Sequence, residues 1–139
     1  MFKKVLSASL VLLALAGCSS NGEKERQLEL MASNRAGVLS AGLPIEYGPL
    51  KVMRISSSKN IVEIMMIYNT DATGAKPTQE LLSTSVSKYC EDATVRNQLD
   101  MGLMYRIKIR NSRGQLIIDE MVTAASCQPQ YGGHDLRFI

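Results

Sequence analysis

The 139-residue sequence has no tryptophan, a single histidine and only three cysteines. With His134 as the sole imidazole, in a Gly-flanked tail, no closed set of four zinc ligands can be assembled. No Gly-x-Ser-x-Gly elbow, Gly-x-Gly-x-x-Gly turn or Walker loop is present to seat a nucleophile or cradle a phosphate. The carboxylate pairs Glu91-Asp92 and Asp119-Glu120 are adjacent in sequence, which suits a solvated end or a helix cap better than an acid and a base facing each other across a bond. The expectation is a non-enzyme with no cofactor and no metal. Charge of one sign is also scarce: 16 basic residues face 13 acidic ones, a net +3 that falls to +1 if Lys3 and Lys4 leave with a leader. Such balance gives no electrostatic footprint for nucleic acid, so no nucleic-acid partner is expected. Hydrophobic residues at 45% and charged residues at 21% are ordinary for a folded chain and exclude collagen, coiled coil and general disorder.

A long hydrophobic run is missing too. Val5 to Ala16 is apolar apart from Ser7 and Ser9, but a membrane span needs about 20 residues. Behind the basic pair Lys3-Lys4 it reads as a signal peptide, residues 1–17. The run ends in Leu15-Ala16-Gly17-Cys18, which is similar to the bacterial lipobox, so Cys18 is expected to carry lipid and to be the new amino terminus. A triply acylated cysteine anchors firmly, since each buried CH₂ contributes about 0.8 kcal/mol and one chain alone holds only marginally. Ser19 follows where Asp would favour inner-membrane retention in that class, so the expected location is the outer membrane, reached through the lipoprotein sorting machinery. Residues 18–24 then form a lipidated tether and 25–139 one domain. Cys90 and Cys127, left in an oxidising periplasm, are most simply one disulfide. A redox-active pair is disfavoured because they are not spaced Cys-x-x-Cys.

Within the domain, apolar residues recur at helical spacing from Glu25 to Ala41, with Gly42 as a C-cap and Pro44 as a stop. Leu50–Ser56 and Asn60–Asn69 read as a β-hairpin. A helix is expected from Thr78, as N-cap, to Cys90, and a second from Asp92 to Leu99, ended by Gly102. Leu103–Arg110 alternates Tyr105, Ile107 and Ile109 with Arg106, Lys108 and Arg110, the pattern of a strand with one dry face. Asn111–Gly114 turns it back into Gln115–Thr123. Two hairpins interrupted by helices predict an α+β fold: one small domain, a mainly antiparallel sheet with helices on one face, and one disulfide. The tail from Gln128 is expected to be irregular, with Leu136–Ile139 as an edge-strand candidate.

Ile61 to Tyr68 is apolar on both faces except at Glu63. Two readings follow: a central strand packed on both sides, or one wall of a hydrophobic groove. Flexible thioethers suit a surface that repacks around a partner helix, and seven methionines remain beyond Met1. The groove expectation names Leu28 and Met31 from the first helix, Met65 and Ile67 from the doubly apolar strand, and Met53 from its hairpin neighbour.

The lipobox through Cys18, Leu43-Pro44-Ile45, the run Tyr89-Cys90-Glu91-Asp92-Ala93-Thr94-Val95, Gly102-Leu103-Met104-Tyr105 and the closing Thr123–Cys127 segment, in that order, resemble the AspS-type (beta class) pilotins of bacterial type II secretion systems. The resemblance covers nearly all of the chain from Cys18 to Cys127. It implies an outer-membrane lipoprotein that binds the C-terminal segment of the secretin subunit and promotes its targeting and assembly. It also implies a sheet flanked by helices and stapled by the disulfide. The alternative is an outer-membrane lipoprotein with a structural or inhibitory protein-binding role.

Overall fold

The computed structural model describes residues 19–128. Cys18, the leader and the Leu136–Ile139 strand expectation lie outside them. Three helices, α1 (Ser19–Ser40), α2 (Thr78–Glu91) and α3 (Ala93–Met101), accompany five strands: β1 (Ile45–Tyr47), β2 (Leu50–Ser58), β3 (Ile61–Tyr68), β4 (Met104–Asn111) and β5 (Leu116–Val122). The strands form one sheet in chain order; β3 and β4 run parallel and every other pair is antiparallel. The parallel pair follows from connectivity. A crossover through α2 and α3 returns the chain to the same end of the sheet, as a parallel pairing requires.

Both expected hairpins are present, as is the one-sided helical layer. The alternation in β3 and β4 decides which side: Val62, Ile64, Met66 and Tyr68, with Tyr105, Ile107 and Ile109, form one buried cluster with Ala32, Ala36, Val95 and Leu99 from the helices. Ala32 and Ala36 are the buried positions of α1, and their small side chains let the helix lie close over β2 and β3. The opposite sheet face carries no helix among the described residues. There Arg106 makes a bidentate ion pair with Asp119 at 2.8 Å, and Lys108 pairs with Glu63 at 3.5 Å. The hydrogen bonds from Arg106 hold the Asp119 carboxyl below its usual range. Arg106 and Lys108 of the basic alternation are thus charge-paired on the outer face, and Arg110 donates to the Gly114 carbonyl.

Most element ends fall within one or two residues of expectation, and three features need a physical reason. Helix α1 begins at Ser19, so the segment read as a tether is helical; it lacks the Gly or Pro content that would break a helix, Gly22 apart. Strand β1 went unforeseen, since three residues between Pro44 and the Gly48-Pro49 turn are too few to show an alternation. Thr78 is the first helical residue, with Pro77 at the cap position and no side-chain cap bond. Asp92 behaves as expected: its carboxylate accepts from the Val95 amide at 3.0 Å and caps α3. Gly102 ends α3 in the left-handed region at φ 110°, donating to the carbonyls of Gln98 and Leu99.

Cys90 and Cys127 are joined, with Cα atoms 5.4 Å apart. The bond ties the end of α2 to the 3-10 turn Ala124–Cys127 that follows β5. In the chain-entropy description, closing a loop of 37 residues contributes about 4 kcal/mol.

Candidate partner-binding groove

Between α1 and α2 a stretch of the sheet is left open. The floor of this groove is Leu50 and Val52 of β2 and Met66 of β3, brought side by side by the register Val52↔Met66. Leu81 and Tyr89 of α2 form one wall, and Arg35 of α1 stands on the other. The space is about 490 Å³, and most of the surface lining it is apolar. Tyr47 of β1 also lines it, with 64% of its surface exposed, an amphipathic ring of the kind enriched at interfaces.

One end of the groove is organised by tyrosines. The Tyr105 hydroxyl donates to Gln98 Oε1 at 2.9 Å and accepts from Arg35 Nε at 3.2 Å, linking α3, β4 and α1. Tyr89 leans on the Tyr105 ring at a centroid distance of 5.0 Å. Burial, reinforced by the neighbouring Tyr105, pushes the Tyr89 hydroxyl well above its ordinary value, and burial likewise raises Tyr105 despite the hydrogen bond from Arg35. Both phenols stay neutral at physiological pH. Nothing in this arrangement joins a nucleophile to a base, and no group of three or more His, Cys, Asp or Glu could hold a metal among the described residues. What the geometry offers is an apolar slot with a polar end, fitted to a segment bearing an apolar face.

The five residues expected to line one groove do not meet. Strand alternation puts Met66 on the helical side and therefore Met65 and Ile67 on the helix-free face. Met53 is exposed at a bulge in β2, between Val52 and Arg54. Leu28 packs over Gly102, and Met31 borders a neighbouring hollow, with Leu30, Val38 and Gln98, that shares Arg35 with the groove. Strand β3 is apolar on both faces apart from Glu63, but among the described residues it is central without being covered by a helix on both sides; the open hollow beside the helices uses the parity of Met66, not that of Met65 and Ile67. A signal did exist, because Leu50 and Val52 share the alternation that makes Met66 inward. Tyr47 and Arg35 gave no such sign.

The family model for the type II secretion system pilotin, S protein, matches residues 24–127, which include every wall of this groove. The chain belongs to the type II secretion system pilotin family. A solved structure of the type II secretion pilotin AspS from Vibrio cholerae is 50% identical, covering 77% of this chain and 98% of that one, with a TM-score of 0.72. Among curated proteins, Pilotin AspS 2 of enterotoxigenic Escherichia coli is 27% identical and Lipoprotein YghG of E. coli K12 is 26% identical. Each of these alignments covers 71% of both chains. The pilotin fold of the Vibrio protein agrees with the α+β architecture expected from sequence.

Proposed function

We propose that this pilotin is an outer-membrane lipoprotein, anchored through Cys18 on the periplasmic face, that seats the C-terminal segment of the secretin in the groove between α1 and α2. By holding that segment while the lipoprotein sorting route carries the anchor, it delivers the subunit to the outer membrane and promotes channel assembly. The observation that carries the reading is the open hollow between two helices, floored by the half-buried Leu50 and Val52 beside the buried Met66 and lined mostly by apolar surface, in a chain of the pilotin family. The task needs no catalysis: an anchor, a rigid sheet and one slot for a segment that orders on binding suffice. The lipoprotein name of the E. coli K12 relative and the Leu15–Cys18 sequence support the anchor.

The test is calorimetric titration of the purified lipoprotein, in detergent, with a synthetic peptide of the secretin C-terminal segment. Saturable binding with a negative heat-capacity change, the mark of apolar burial, is expected. Absence of binding would remove the reading.

A further inference from the structure

Arg35 is the half-buried cation of the groove, and its fixing is unusual. Its Nε donates to the Tyr105 hydroxyl at 3.2 Å, and that hydroxyl commits its own proton to Gln98. The guanidinium is thereby held by β4, through a tyrosine that α3 in turn fixes, on a wall that also faces the apolar floor. Yet no carboxylate pairs with it: the ion pairs among the described residues involve Lys51, Lys76, Arg96, Arg106 and Lys108, never Arg35. Asp92, the one acidic residue lining the groove, is engaged in capping α3 through Val95. The other cation there, Lys88, is exposed, and a strongly hydrated ammonium at a rim contributes little. A planar guanidinium, pre-oriented and beside apolar surface, is the better receptor for a planar anion.

We infer that Arg35 is the charge anchor of this groove: it pairs with a side-chain carboxylate, Asp or Glu, on the apolar segment that fills the floor, and so fixes the register of that segment. The inference rests on the pilotin reading of the groove and adds the chemistry of the partner's polar contact. The apolar floor supplies affinity without direction, because Leu50, Val52 and Met66 accept any apolar side chain of suitable size. A carboxylate on Arg35 selects one placement among the possible slides. Without it, burying the guanidinium under a partner leaves a desolvated cation, which is costly.

The experiment uses the full lipoprotein in detergent and the synthetic secretin C-terminal peptide, with each acidic residue of the peptide changed in turn to its amide, plus one version with an amidated C-terminus. One acid-to-amide change is expected to weaken binding by about 10- to 100-fold, the range for hydrogen bonds to charged groups. Arg35→Gln should weaken the parent peptide by a similar factor and leave the affinity of that amide peptide unchanged, while Arg35→Lys keeps part of the binding. Because the peptide arm alters nothing in the protein, a folding defect of Arg35→Gln, read by thermal melting, does not spoil it. The inference is overturned if no acidic residue of the peptide matters, if only amidating the C-terminus weakens binding, or if the two losses add independently. If instead Leu81→Glu binds the parent peptide as tightly as the unchanged protein, the groove is not the binding site and the reading beneath the inference fails with it.

Discussion

Met65 and Met66 are neighbours in β3 and face opposite sides of the sheet: Met66 lies on the groove floor, while Met65 stands beside Lys108 and Arg54 on the helix-free face. The consequence is a sharp division of labour between adjacent methionines. The helical side carries the proposed groove, and the other side bears the Arg106–Asp119 and Lys108–Glu63 ion pairs. Each expected outcome below follows from that division or from what holds it in place.

Changing Cys18 to Ala should leave the groove intact and misplace the secretin, since the proposed anchor and the groove are separate parts of the chain. Membrane fractionation checks this. Secretin reaching the outer membrane in its normal amount would count against piloting.

Replacing both Cys90 and Cys127 by Ser should lower stability by about 2 to 5 kcal/mol, the usual cost of losing a native disulfide from a small secreted domain. Denaturant titration of the oxidised protein, the reduced protein and the double variant measures it. The reduced protein and the double variant should coincide. A midpoint unchanged by reduction would show that the bond adds no stability.

Gly102→Ala should destabilise by about 1 kcal/mol or more. An alanine there must hold φ near 110°, and its Cβ would meet Leu28 Cδ1 at 3.3 Å. Leu28→Ala removes the second problem and leaves the first, so the pair should show coupling in a double-mutant cycle. Purely additive losses would mean that the contact is unimportant.

Much of this fold was legible in the chain because its signals are local. Tyr105, Ile107 and Ile109 alternate with three basic residues, Asp92 precedes a helix it can cap, and Gly102 stands where a left-handed residue must end one. The groove was not legible in the same way. It depends on α1 and α2 leaving part of the sheet open between them and on which parity of β3 meets them, both tertiary facts. Met65 and Met66 are chemically identical, so residue type could not choose between them. Arg35 looked like one more residue on the stripe of α1, since its partner Tyr105 is 70 positions away. Strand β1, three residues long, was invisible for want of a period.

The central claim, that the secretin segment lies between α1 and α2, is tested most directly by one paired measurement: calorimetry of the secretin C-terminal peptide against Leu81→Glu and Met65→Glu, beside thermal melts of both. Leu81 is half-buried on the groove wall, whereas a glutamate at position 65 would find Lys108 and Arg54 as cross-strand neighbours and should be tolerated. The expected result is binding weakened at least about tenfold in Leu81→Glu and unchanged in Met65→Glu, with both proteins folded. Binding lost in Met65→Glu and kept in Leu81→Glu would contradict the claim and move the site to the helix-free face.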